Sequence, residues 1–358
     1  MIFRKYRRLS LFLAVMMFII QSSFSVYGME LINENDHSGE EEYILDTEKS
    51  EDNTAGSDYI TEDEAIIDSG SPSDLTDEDK SILNSNSTVS SDGKIMRVSY
   101  INVGHGDSIL IECGGEAVLV DGGEPEKGRL VSGYIKEKGY TGLKYVIATH
   151  PHNDHVGGLA DVLSEFGCEK VLSARSRGSA IKNKGLTSAY AAFSEAVNNR
   201  GLTIEYPSQG TEYKIGVSDN KALIKILGPV KTGSEINNNS LAFMLTFGEK
   251  RFLFTGDSKR AEERDLIRSC GGDNLKCDVY KAAHHGLNGS SSKVFVDTID
   301  PEYAVISCDK RSRWRSPGTS CIRRFRKNGI KTFRTDKQGT IIAVTDGKDI
   351  AWNVSPEF

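Results

Sequence analysis

The six residues HPHNDH at 150–155 constrain this chain more than any other feature. They set His150, His152, Asp154 and His155 within one short loop. The run before them, LKYVIA at 143–148, is apolar and β-branched and predicts a buried strand. The run after them, from Val156 through Gly157 and Gly158 to Leu163, predicts the start of a helix. A strand that delivers three imidazoles and a carboxylate into a loop builds a metal site, and such ligands suit zinc, manganese or iron. These ligands are too many for one tetrahedral ion that keeps a position open for substrate, so the spacing predicts two divalent ions. A merely His-rich polar loop is the bland alternative.

The rest of a ligand set is spread along the chain. His150 and His152 flank Pro151, so both can serve one ion, while Asp154 and His155 face the other. Asp257 ends the apolar run RFLFTGD, where its carboxylate can bridge two ions. His284 and His285 follow another strand; one of them should complete the second site, and the sequence leaves open which. Five of the seven histidines lie in these two motifs. Of the others, His105 in VGHGD either lies near the site or caps a turn, the turn being the expectation, and His37 is expected to be uninvolved. Asp154 and Asp257 are the expected catalytic carboxylates.

INVGHGDSILIE (101–112), VLVDGG (118–123), NNNSLAFMLTFGEKRFLFTGDS (237–258), DVYKAAHHG (278–286) and PEYAVIS (301–307) follow one another in that order. With the HxHxDH loop, this ordered set resembles the metallo-β-lactamase fold superfamily. Within it, the set resembles the soluble metallo-hydrolase domain of ComEC competence proteins more than the antibiotic-hydrolysing branch. The resemblance covers 94–358 and implies an α/β fold, a four-layer αββα sandwich. Asp107 and Asp121 are expected to stand behind the ligands, with Asp121 accepting the outer N–H of an imidazole.

Two departures from the wider pattern matter. Many members of the superfamily supply a third His to the first ion from mid-chain, yet no His occurs between 155 and 284. ComEC-like domains share this gap and carry an NNNS-type run, here with Asn239 and Ser240. These are expected either to hydrogen-bond a metal water or substrate oxygen, or simply to lead a strand. An oxygen-rich first site binds zinc less tightly and accepts manganese, so either metal fits. ComEC-like domains also carry an aromatic-glycine-His-Pro run where this chain reads Arg313-Trp314-Arg315-Ser316-Pro317. Ser316 stands in place of that His, which puts leaving-group protonation in doubt.

The chain before residue 94 is a different polymer. Arg4, Lys5, Arg7 and Arg8 precede twelve mostly apolar residues, Leu9 to Ile20, and small residues follow near 28. This predicts a signal peptide over 1–28 and a secreted protein with no stable span after cleavage. The alternative is an uncleaved leader that keeps the protein at the cell surface, although a span needs ~20 apolar residues. Residues 30–93 hold twenty acids and two lysines, which predicts a disordered acidic linker over 29–93. That segment is a spacer, or a competitor with polyanions for the domain behind it. The whole chain carries −7, but the acidic segment holds the excess, and 94–358 is left at +7. A basic domain suits phosphate polymers. Lys310, Arg313, Arg315 and Ser316 are expected to touch substrate; Arg175, Arg177, Lys182 and Lys184 form a second basic group. Cys270 and Cys277 flank a short loop and are placed to close it by a disulfide.

The elements expected are strands at 96–103, 108–113, 117–120, 145–148, 223–227, 241–247, 251–255, 279–282, 304–307, 331–334 and 340–345. Helices are expected at 127–138, 186–200, 259–270, 290–299 and 318–327. The function expected is metal-assisted hydrolysis of a phosphodiester, extracellular DNA or RNA above all. A cell-wall phosphocholine or teichoic acid esterase, and a metal-poor DNA-binding surface protein, are the alternatives.

Overall fold

The computed structural model describes residues 95–175, 188–217, 221–309 and 315–358. The expected leader and acidic linker lie outside the described residues. So do Lys310, Arg313, Arg177, Lys182 and Lys184.

Two mixed sheets face each other. The first contains β1 (Met96–Tyr100), β2 (Ile109–Cys113), β3 (Glu116–Val120), β4 (Gly142–Ala148), β5 (Gly167–Ser173), β6 (Ile204–Glu205), and two late strands. The second contains β7 (Glu212–Ile215), β8 (Ala222–Gly228), β9 (Ala242–Phe247), β10 (Lys250–Phe254), β11 (Val279–Lys281), β12 (Tyr303–Ile306) and β13 (Lys331–Arg334). The late strands β14 (Ile341–Thr345) and β15 (Ile350–Trp352) return to the first sheet, whose order is β15-β14-β1-β2-β3-β4-β5-β6. The second sheet runs β13-β12-β11-β10-β9-β8-β7.

Alternation along the strands builds three apolar layers. Val98, Tyr100, Ile147, Phe243, Phe254 and Phe333 meet between the sheets. The opposite face of the first sheet packs Leu119 and Val146 against Ile135, Leu159 and Phe193. These last come from helices α1 (Gly128–Glu137), α3 (Leu159–Glu165) and α4 (Ser188–Asn199), the short α2 (Asn153–Val156) preceding α3. The outer face of the second sheet packs Met244 and Tyr280 against Leu266, Phe295 and Phe325. Their helices are α5 (Arg260–Cys270), α7 (Lys293–Ile299) and α8 (Thr319–Lys327), with the short α6 (Gly272–Leu275) between α5 and α7. The result is the helix–sheet–sheet–helix sandwich that the sequence predicts. Because β1 lies in mid-sheet it is buried along its whole length. Arg97, on its helix-side face, pairs with its cross-strand neighbour Glu112 at 3.2 Å.

Strand polarity positions the site. β3 and β4 run parallel, as do β10, β11 and β12. Their carboxyl ends therefore come out on common edges, and Asp121, His150, Asp257, His284 and Ser307 follow those ends directly. Two expectations differ in extent. β1 stops at Tyr100, because residues 101–107 leave the sheet to carry Asp107 toward the site. The helix after the HPHNDH loop is interrupted at Gly157 and Gly158, where the Gly158 N–H donates to the Gly123 carbonyl instead of within the helix, and a Cβ at Gly158 would stand 2.2 Å from the Gly122 carbonyl oxygen. Cys270 and Cys277 are not joined, contrary to the disulfide the spacing allows.

Glu262, in the first turn of α5, is buried and accepts a hydrogen bond from the Val230 N–H at 2.7 Å. Burial pushes its carboxyl up to about 7. A raised native pKa means the folded state binds the extra proton, so its stabilising share is complete below about pH 4.5 and lost as pH rises through 7. Glu262→Gln should remove that slope. Thermal melts from pH 5 to 8 should show the variant gaining on the wild type as pH rises; a constant gap would contradict this.

Candidate metal centre

The site assembles around Asp257 where β10 ends. Its Oδ2 lies 3.3 Å from His155 Nε2, 3.6 Å from His150 Nε2, 3.6 Å from His285 Nε2 and 3.8 Å from His284 Nε2. On one side stand His150 and His152, whose facing nitrogens are 3.0 Å apart. On the other stand Asp154, His155 and His285, with Asp154 Oδ2 3.1 Å from His285 Nε2 and 3.8 Å from His155 Nε2. Among the described residues, three groups bring their donor atoms within 4.8 Å of one another: His150–His152–Asp257, Asp154–His155–Asp257–His285, and Asp107–Asp121–His155, the last on the Nδ1 side of His155. Asp257 belongs to the first two, which are the two candidate ligand sets.

The chemistry of these donors fits divalent cations. His155 Nε2 and Asp257 Oδ1 are buried and make no hydrogen bond. Burial works against charge on Asp257, yet His155, His285 and His150 outweigh it and hold the carboxyl well below the usual range. Burial likewise opposes protonation of His155, and Asp257, Asp154 and Asp121 outweigh it, raising the imidazole well above its ordinary value. His150, buried beside His155, is pushed well below the ordinary value. Crowded carboxylates thus recruit positive charge to shared lone pairs, and a divalent cation competes with protons for the same atoms.

A layer of support stands behind the ligands. Asp121, in the left-handed region at φ 58°, points Oδ2 at His155 Nδ1 at 2.8 Å. The Thr149 hydroxyl and N–H both donate to that carboxylate, at 2.7 and 2.8 Å. The Gly122 N–H donates to the His155 carbonyl, so the VLVDGG turn lies directly against the metal loop. Asp107 Oδ1 lies 3.5 Å from His285 Nδ1, which also faces the Ser307 carbonyl at 3.2 Å. Both His284 and His285 sit in the left-handed region, at φ 53° and 54°, and so present different faces of the turn. His285 joins the second set, while His284 faces Asp257 and the Asn237 amide, whose Nδ2 is 3.4 Å away.

Several expectations change. Asn239 does not face the site: its amide is spent on both backbone groups of Gly233, at 2.8 and 2.9 Å. The hydroxyl of Ser240 donates to the Asn237 carbonyl and accepts from the Asp257 N–H at 3.0 Å, so it holds Asp257 rather than a water. Asn237, two residues earlier, is the asparagine beside the histidines. His105 lies at the site, the alternative to a turn cap, for its Nε2 is 3.2 Å from Asp154 Oδ2 and its ring centroid is 4.7 Å from that of His285, tilted by 54°. Ser316 is buried, with Oγ making no hydrogen bond, because the Gly318 N–H ties its segment to the Gly286 carbonyl. It is not presented to a polymer in solvent. Arg315 is exposed at φ 51°. Lys281, which no motif points to, also belongs to the site, with its Nζ 2.8 Å from Asp107 Oδ2. Its signal in the sequence is a lysine within the apolar run VYKAA.

Asp121→Ala should leave every ligand in place yet weaken zinc or manganese binding about ten- to hundredfold, read by titration against a chelating dye. Gly106→Ala should do worse. Gly106 has φ 110°, and a Cβ there would stand 2.2 Å from the Asp154 carbonyl oxygen, so the metal loop must shift. Unchanged metal affinity in both variants would contradict the placement of these supports.

Residues 101–309 match the model of the metallo-beta-lactamase superfamily. ComE operon protein 3 of Bacillus subtilis is 25% identical over 272 residues, which are 71% of this chain and 33% of that protein. Recombination protein 2 of Haemophilus influenzae is 26% identical over 251 residues, 68% of this chain and 28% of that protein. Ribonuclease Z of Mycolicibacterium paratuberculosis is 43% identical over 58 residues, 16% of this chain and 20% of that protein. The chain thus spans about a third or less of the length of the relatives it matches. Competence protein ComA of Neisseria gonorrhoeae is 26% identical over 246 residues, 68% of this chain and 31% of that protein. The two-sheet sandwich, the histidine and carboxylate sets at its edge and these matches agree: the chain belongs to the metallo-β-lactamase superfamily of metal-dependent hydrolases and is related to competence proteins.

Proposed function

We propose that this chain is a secreted phosphodiesterase that cuts extracellular DNA or RNA with two divalent cations, zinc or manganese. The observation that carries the proposal is the position of Asp257 Oδ2, within 3.8 Å of imidazole nitrogens from both ligand sets. A carboxylate placed so can serve two cations at once.

Bound there, paired divalent cations supply Lewis acidity toward a phosphoryl oxygen and lower the pKa of water. The chain's own residues do the rest. His150 and His152 hold one side, Asp154, His155 and His285 the other, and Asp257 stands between. Asp121 and Asp107 fix the orientation of His155 and His285 from behind. Ser240 pins the backbone that presents Asp257. Asn237 and His284 line the approach to Asp257, where an amide N–H can meet a substrate oxygen. The +7 of residues 94–358 draws a polyanion to this edge, and Arg315, Lys310 and Arg313 are proposed as its contacts. The names of the relatives, a ribonuclease and proteins of competence and recombination, favour nucleic acid over a cell-wall ester. The leader over 1–28 is proposed to carry the chain out of the cell.

Plasmid nicking and RNA cleavage with added zinc or manganese test this directly. Wild-type protein should cut, and Asp154→Ala and Asp257→Ala should each lose activity beyond the about ten- to hundredfold expected for a supporting residue. Metal-loaded protein that leaves DNA, RNA and bis-nitrophenyl phosphate all intact would remove the nuclease proposal.

A further inference from the structure

The Lys281 side chain is buried at the end of β11, 2% exposed. Its Nζ lies 2.8 Å from Asp107 Oδ2 and donates to the Ala282 carbonyl at 2.9 Å. Among the described residues the other buried lysine or arginine is Arg97, and that one pairs with Glu112. Lys281 touches none of the ligands of either set. It reaches them through Asp107, whose carboxylate lies 3.5 Å from His285 Nδ1 and 4.0 Å from His155 Nδ1. Asp107 is itself fixed, since its N–H donates to the Asp154 carbonyl and its carbonyl accepts from the Gly123 N–H.

A buried ammonium is costly unless its charge is needed where it sits. Four carboxylates crowd this site: Asp107, Asp121, Asp154 and Asp257. Two divalent cations would balance these four carboxylates. The Lys281 ammonium adds one more positive charge, the complement of a single phosphodiester anion. We propose that Lys281 is a positioning residue that sets the net charge of the loaded site: it keeps Asp107 turned away as a support rather than a third ligand carboxylate, and it leaves the site one positive charge in excess for a phosphate group. The inference rests on the two-cation reading given under Proposed function. It adds what that reading lacks, a reason for the site to prefer a monoanionic phosphodiester over a neutral ester.

The sign of the effect separates charge from architecture. Removing a fixed positive charge should tighten cation binding and weaken anion binding; damage to the fold weakens both. Zinc affinity is measured by titration against a chelating dye, and inorganic phosphate affinity by calorimetry on the zinc-loaded protein. Lys281→Met should bind zinc at least about tenfold more tightly and phosphate at least about tenfold more weakly. Asp107→Asn, which leaves the lysine without its partner, should shift both constants the opposite way. The double variant, which removes one charge of each sign, should return both to within about threefold of wild type. Should Lys281→Met not fold, the Asp107→Asn and double variants carry the same test. Two variants that weaken zinc and phosphate together, or a Lys281→Met protein with unchanged phosphate affinity, would overturn the inference. A wild-type protein that takes up fewer than two zinc ions per chain would instead fail the two-cation reading, and the charge argument with it.

Discussion

The contact on which the site depends is a single carboxylate oxygen among imidazoles. Asp257 Oδ2 is buried, and four histidine nitrogens surround it at 3.3 to 3.8 Å. Such a cluster is unfavourable on its own terms. Burial opposes every charge in it, and the carboxylates hold His155 and His285 above the ordinary imidazole range against that burial. The surrounding structure holds the cluster in place because each member is tied from behind. Asp121 and Thr149 hold His155, Ser240 holds the backbone of Asp257, and Ser307 with Asp107 holds His285.

The fold supplies these ties by bringing two sheets to one edge. HPHNDH and VLVDGG leave the first sheet; TGD and KAAHHG leave the second. Asp107 joins them, with its backbone bonded to Asp154 and its carboxylate to Lys281. The site therefore sits at the edge of the contact between the sheets, an apolar layer in which Tyr100, Phe243 and Phe254 meet. Binding residues on short loops at the ends of a rigid scaffold are an economical way to hold donors from distant stretches of chain.

Much of this was legible in the sequence. Donor chemistry reads locally: HPHNDH, TGD and HHG name their ligands, and apolar runs before each give the strands that carry them. The layered architecture is what the resemblance carried by the ordered motifs implies. What could not be read was direction. His284 and His285 are neighbours in sequence, and only the left-handed backbone at both turns one toward Asp154 and the other toward Asn237. Asn239 and Asn237 are equally plausible as letters, but Gly233 claims the amide of one of them. The choice between a turn cap and the site for His105, and the role of Lys281, could not be read because their partners, Asp154 and Asp107, are far away in sequence. Short or exposed strands such as β6 and β7 lacked a period long enough to see.

Anomalous diffraction from crystals grown with zinc or manganese tests the central claim most directly. Two peaks should flank Asp257 Oδ2, ~3.5–4 Å apart, one beside His150 and His152 and the other beside Asp154, His155 and His285. A single peak on one side only, or none within reach of Asp257, would contradict the account.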